Sequence, residues 1–219
     1  MITLYGFGRV NEKVIGVTRD LRAQWALEEV GLPYRVQGLD HTGGETRCEA
    51  YRRISPFEQI PVIDDDGFVV AESGAIVLYV AEKAGALIPR DGQGRTRVTQ
   101  WCFAALNTLE PPLFQIAMID FFSDDPVGRQ RRPGLVDWAN RALAGIDRQL
   151  ARHAHIAGED FTVADILTVT VLREVRRSEV LDGFPRVREY AARCQQRPAW
   201  QRTLADYERR LGAPAGTAH

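Results

Sequence analysis

Apolar and polar positions follow two rhythms in the first eighty residues and a single one afterwards. Residues 2–7, ITLYGF, are β-branched and aromatic and read as a strand, followed by a loop, GRVNEKVIGV. From Thr18 the rhythm changes: Leu21, Trp25, Leu27 and Val30 recur at helical spacing, Glu28 and Glu29 face out, and Gly31 with Pro33 ends the run. PYRVQGLD reads as a second strand, and TRCEAYRRI as a helical turn or two before Ser55-Pro56. IPVID and GFVVA flank Asp65-Asp66-Gly67, a hairpin signal with glycine where positive φ is needed. ESGAIVLYVAEKAG then reads as an amphipathic helix stopped by Gly85.

The order β-α-β-α-β-β-α over residues 1–84 requires a right-handed parallel crossover in its first half and predicts a small mixed sheet covered by helices. ALIPRDGQGR, rich in glycine, proline and charge, makes 85–95 a linker. Residues 96–219 lack strand alternation. Val98, Trp101, Cys102, Ala105 and Leu109 mark one helix, GLVDWANRALAGIDRQLARH a second, and a third begins at Thr162. The fold class expected is α/β plus all-α, an N-terminal mixed domain followed by a helical bundle.

Composition narrows the functions. Net charge is −1 with 26% charged and 45% apolar residues, which excludes a disordered chain and gives no broad basic face for nucleic acid. The basic loop RQRRP at 129–133 is too small for that purpose. No window approaches the roughly 18 apolar residues of a membrane span, and the first residues carry no export signal, so a cytoplasmic protein is expected. Lysine occurs only at Lys13 and Lys83; arginine supplies the rest of the positive charge. Cys48, Cys102 and Cys194 are widely spaced, without a CxxC or a Cys/His cluster, so a disulfide framework, a metal site and a dithiol centre are not expected, and three buried, inert thiols are.

Five segments in order, TRDLRAQWALEEVGLPY, SPFEQIPVIDDDG, AESGAIVLYVAEKAG, FTVADILTVTVL and FPRVREYAARCQQRPAWQR, resemble the cytosolic glutathione transferases over nearly the whole chain. The resemblance implies a thioredoxin-like first domain, glutathione as co-substrate, no metal, and a homodimer. In such proteins Pro61 is a cis proline, tolerable because X-Pro bonds adopt cis at about 0.5–1 kcal/mol. Lacking an N–H, Pro61 leaves the edge before it unpaired, so the N–H and C=O of Ile60 are able to pair with the cysteinyl backbone of glutathione as an added strand does. Glu72 then holds the γ-glutamyl ammonium, while the Ser73 hydroxyl and N–H hold the neighbouring carboxylate at a helix N-terminus. Taken alone, Ser73 also reads as a helix cap. Gln59 adds an amide, and Arg52 or Arg53 is a partner for the glycyl carboxylate.

For the thiol, the resemblance puts Thr18 where serine-type members keep their hydroxyl. A hydrogen bond to a charged group is worth about 1.5–3 kcal/mol, enough to lower a thiol pKa by about one to two units. The long 8–17 loop leaves Asn11 or Arg19 as alternatives, and Thr18 also reads as a plain helix cap. Phe7 stands near the place of the phenol of tyrosine-type members, and Tyr5 is expected to face elsewhere. Thr162 and Asp165 form a capping-box pattern, with Asp165→Ala expected to cost about 1–2 kcal/mol. The electrophile pocket is expected between the domains, from the 8–17 loop and from Trp101, Asn107, Leu109 and Phe114. Conjugation to a small electrophile and reduction of peroxides or disulfides are both compatible with these residues. A non-catalytic binding protein of the same fold is the alternative, and a glutaredoxin-like reductase lacks its cysteine near Thr18.

Overall fold

The computed structural model describes residues 1–122, 126–214 and 216–217. The chain forms two compact units, one of Met1–Ala86 together with the segment from Pro198, the other of Leu87–Arg197.

In the first unit a four-stranded sheet runs β2-β1-β3-β4. Strand β1 (Ile2–Phe7) pairs in parallel with β2 (Tyr34–Leu39), in register from Ile2 opposite Tyr34 to Phe7 opposite Leu39. Helix α1 (Asp20–Val30) makes the crossover this parallel pair demands, and Gly31 ends it in the left-handed conformation, φ 68°. After a short α2 (Glu49–Arg52), β3 (Val62–Asp65) runs antiparallel to β1, and β4 (Phe68–Ala71) folds back along β3. Asp66 and Gly67 both have positive φ, the signature of a tight hairpin turn that glycine makes inexpensive. Helix α3 (Ser73–Ala84) follows and stops at Gly85.

The sheet is covered on both faces, so β1 is buried along most of its length rather than alternating. Leu39, Tyr51, Ile60 and Val62 form one core, and both Tyr5 and Phe7 pack against it. Tyr5 therefore does not face away from Phe7. Side chains two apart on a strand share a face, and the Tyr5 ring sits edge-on to Tyr51 at 6.0 Å. The last helix, α9 (Pro198–Leu211), packs on α1, with the Trp25 and Trp200 rings 4.6 Å apart.

The second unit contains α4 (Gly92–Ala104), α5 (Glu110–Phe122), α6 (Pro126–Leu150), α7 (Val163–Leu172) and α8 (Pro185–Gln195). Helix α4 starts inside the stretch that reads as linker, because the Asp91 carboxylate accepts the Gly94 N–H at 2.8 Å and caps it. Residues Ala105–Leu109 widen into a π-helical turn just before Pro111 and Pro112. Neither proline has an N–H to return to Asn107 or Thr108, and their rings push on those carbonyls, so the helix opens rather than breaks. The RQRRP segment is not a loop: Pro133 lies inside α6, and Arg132 pairs with Asp120 at 2.7 Å and Glu179 at 2.7 Å.

Every residue of α7 is buried. Its capping box forms as its sequence predicts, with Thr162 as the cap and Asp165 returning to the Thr162 N–H at 2.8 Å. Cys102 and Cys194 are buried, and burial pushes the Cys102 thiol up to about 12. Cys48 is exposed, contrary to the expectation of three buried thiols, because it precedes a four-residue helix lying at the surface.

Candidate active site

The site grows from the turn between α2 and β3. Ser55 Oγ donates to the Gln59 carbonyl at 2.9 Å and accepts the Gln59 N–H at 2.9 Å, while the Tyr51 hydroxyl donates to the same carbonyl at 2.9 Å. Three bonds on one residue's backbone fix the segment that delivers Ile60. The Ile60-Pro61 bond is cis. The Ile60 side chain is buried, yet its N–H and C=O have no protein partner among the described residues. An exposed edge with an unused donor and acceptor is the requirement for strand addition by a peptide.

Across this edge lies the start of α3. Glu72 caps it with φ 71° and ψ 119°, a left-handed conformation unusual for a residue other than glycine, and its carboxylate makes no capping bond. Its side chain is exposed. Ser73 is buried, and its hydroxyl accepts from Arg22 Nη1 at 3.2 Å. The first-turn N–H groups of α3 have no intrahelical partner and point at the same place with the positive end of the helix dipole.

A cleft joins these features, its lining including Arg19, Gln59, Ile60, Pro61, Glu72 and Ser73. Gln59, Ile60, Pro61, Glu72 and Ser73 are thus brought together. Thr18, Asn11 and Arg52 do not line this cleft. Thr18 Oγ1 donates to the Tyr207 hydroxyl at 2.8 Å, and helix α1 is capped by Arg19 rather than Thr18. Asn11 is exposed, and its Oδ1 accepts the Lys13 N–H at 3.0 Å. Arg52 pairs with Glu58 at 2.7 Å, and Arg53 with Glu49.

Arg22 is the residue that sequence reasoning missed. It is 2% exposed on a helix whose residues Asp20–Leu27 are all buried, and it reaches Ser73, 51 residues further along the chain, at the start of α3. A charged residue between Leu21 and Trp25, within the apolar stripe, was its signal. In the second unit Leu109 is buried, Phe114 and Asn107 are exposed and Trp101 is half-buried. Among the described residues no cluster of histidine, cysteine and carboxylates is arranged to hold a metal, and no helix is long and apolar enough to cross a membrane.

Comparison with known proteins identifies the family. The sequence model for the glutathione S-transferase N-terminal domain matches residues 13–82, and that for the glutathione S-transferase C-terminal domain matches residues 110–198. The chain is 30% identical to the disulfide-bond oxidoreductase YfcG of Escherichia coli, over 81% of this chain and 86% of that protein. It is 26% identical to glutathione S-transferase F9 of Arabidopsis thaliana, over 85% and 92% of the two chains. A crystal structure of a glutathione transferase family member from Pseudomonas fluorescens, with two glutathione molecules bound, superposes with a TM-score of 0.79 at 27% identity, covering 93% of this chain and 92% of the other. Matching models in both halves, and a relative at 30% identity along most of its length, establish that this chain belongs to the glutathione S-transferase family.

Proposed function

We propose that the protein is a glutathione-dependent transferase in which the tripeptide lies as an added strand along Ile60. Its amino-acid head is held by Glu72 through the ammonium, and by Ser73 and the first-turn amides of α3 through the carboxylate. The observation that carries this reading is the one cleft joining an unpaired Ile60 edge to Glu72 and Ser73. Gln59 supports the same backbone, and Arg52, were it to exchange its Glu58 partner, reaches toward the glycyl end. On the thiol side the segment leading into α1 offers the Asn11 amide, the Thr18 hydroxyl and the Arg19 guanidinium.

Chemistry follows from binding and orientation. The thiol loses its proton to solvent, the thiolate sulfur bonds to an electrophilic carbon, and the leaving group departs with its electron pair. A second reading, reduction of mixed disulfides, is favoured by the bacterial relative named a disulfide-bond oxidoreductase and by the neighbour that binds two glutathiones. There the thiolate attacks the glutathionyl sulfur of a glutathione mixed disulfide, the old S–S bond breaks as the new one forms, and glutathione disulfide and one thiol, protonated from solvent, are released. Residues 1–84 carry the glutathione site in this proposal, in a cytoplasmic two-fold dimer. Turnover with an activated aryl chloride and with a glutathione mixed disulfide separates the two chemistries. Glutathione binding without turnover of either substrate assigns the protein to the non-catalytic binders.

A further inference from the structure

We infer that Arg22 is a positioning residue of the glutathione site: through its bond to the Ser73 hydroxyl it turns that hydroxyl's proton toward the carboxylate of the γ-glutamyl head. This rests on the head lying at Ser73 as proposed.

The contacts run from the interior outward. Arg22 and Ser73 are both buried, on helices α1 and α3, which pack on each other. Arg22 Nη1 donates to Ser73 Oγ at 3.2 Å. Ser73 lines the cleft and Arg22 does not. Ser73 is thus the link between the buried guanidinium and whatever the cleft holds.

The direction of the bond decides what Ser73 has left to offer. A guanidinium has only donors, so the serine oxygen accepts and its own proton cannot point back at Arg22. Among the described residues no protein acceptor takes that proton. A carboxylate only accepts, and in the cleft it meets a hydroxyl whose proton is still available. The Ser73 N–H beside it belongs to the first turn of α3, whose amides have no intrahelical partner. Hydrogen bonds in series polarise one another, most strongly where water is excluded, as it is at Arg22. Without the guanidinium the hydroxyl rotates freely, and fixing it on binding costs part of the affinity for the head.

A residue that served packing alone would act equally on every peptide in the cleft. Arg22 acts on the head's carboxylate and not on its ammonium, which Glu72 takes in the proposed pose. Lysine separates charge from bond at this position, since its ammonium ends one atom short of the arginine Nη and offers no planar fork. Arg22→Lys therefore keeps a cation beside α3 but withdraws the donor from Ser73.

The test is titration calorimetry of wild type, Arg22→Lys, Arg22→Met, Ser73→Ala and the double variant Arg22→Lys with Ser73→Ala. Each is titrated with glutathione and with γ-aminobutyryl-cysteinylglycine, which keeps the ammonium and lacks the carboxylate. Wild type is expected to prefer glutathione by about tenfold or more. Arg22→Lys and Arg22→Met are expected to cut that preference by about threefold or more, with affinity for the carboxylate-free peptide within about twofold of wild type. Ser73→Ala cuts it as far, and adding Arg22→Lys to Ser73→Ala changes it by less than about twofold, because the link is already gone. A wild-type preference in Arg22→Lys, an equal loss for both peptides, or a full Arg22 effect in the absence of the Ser73 hydroxyl overturns the assignment. So does failure of both Arg22 variants to fold, read by circular dichroism, which makes Arg22 a residue of the core alone. A wild type that binds neither peptide, or both alike, refutes the placing of the head at Ser73, an outcome distinct from a failure of Arg22.

Discussion

The hydroxyl of Thr18 donates to the phenolic oxygen of Tyr207 at 2.8 Å, tying the turn before α1 to a helix 189 residues further along the chain. Tyr207 is fully buried, and burial, helped by the nearby Asp20 carboxylate, raises its phenol well above the ordinary range. Beside it Arg210 donates to the Phe7 carbonyl at 3.0 Å, to Gln24 at 3.0 Å and to Asp20 at 2.9 Å. Even a methyl group at Gly6 would come within 2.9 Å of that Asp20 oxygen, so glycine is required where the carboxylate meets β1. The two terminal stretches of this unit are therefore joined by a polar network at the entrance to α1.

Removing the phenol isolates this network from the chemistry. Tyr207→Phe leaves the Thr18 hydroxyl and the Gly16 N–H without their partner and is expected to cost about 1–3 kcal/mol in urea denaturation. The pKa of bound glutathione is expected to stay unchanged. Equal stability of the variant and wild type would contradict the packing described for Tyr207.

Glu72 combines two opposed demands. Its φ of 71° is strained for any residue with a Cβ, while its carboxylate is the proposed ammonium ligand. Glu72→Gly should therefore stabilise the fold by about 1 kcal/mol and weaken glutathione binding about tenfold or more, a charged hydrogen bond being lost. Thermal melting and titration calorimetry on one preparation read both signs. A variant that binds as well as wild type removes Glu72 from the site.

Acid sensitivity traces to Asp65, which is buried and accepts hydrogen bonds from Lys83 and, at 2.6 Å, from Tyr79. The bond from Lys83, then that from Tyr79, hold its carboxyl below the usual carboxylate range. A depressed folded-state pKa contributes stability that is complete above the unfolded value of about 4 and fades as pH falls through the folded one. Wild type should therefore exceed Asp65→Asn in melting temperature at pH 7, and the gap should narrow below about pH 4. A gap that is constant with pH would show that the carboxylate's charge is not what stabilises.

Asp165 is more expensive to lose than its capping role implies. Besides the Thr162 N–H at 2.8 Å, its carboxylate accepts the Ile156 N–H at 2.9 Å and the Tyr190 hydroxyl at 2.7 Å. Asp165→Ala leaves those buried donors unsatisfied and is expected to cost about 3 kcal/mol or more, measurable as a shift in the denaturation midpoint. A loss near 1 kcal/mol would mean water replaces the carboxylate.

That difference shows what a sequence displays and what it hides. The Thr162/Asp165 pair is legible because caps act over three residues, whereas the Ile156 and Tyr190 bonds close only when the chain folds. In the same way the mixed sheet, the Gly31 and Gly85 stops and the Asp66-Gly67 turn are local patterns, and all are present. Arg22 reaching Ser73, Thr18 reaching Tyr207 and Arg132 reaching Glu179 are long-range pairings of polar groups, to which periodicity is blind. The helical path through Pro133 escaped for another reason: tertiary packing of α6 overrides the local penalty of one proline.

The central claim, a tripeptide anchored by its amino-acid head at Glu72 and Ser73, is tested most directly by titration calorimetry of the wild-type protein with glutathione and with cysteinylglycine, which lacks that head. The account predicts saturable heat with glutathione and an affinity for the dipeptide lower by about tenfold or more, equivalent to about 1.4 kcal/mol. No heat at millimolar glutathione, or equal affinity for the two peptides, would contradict it.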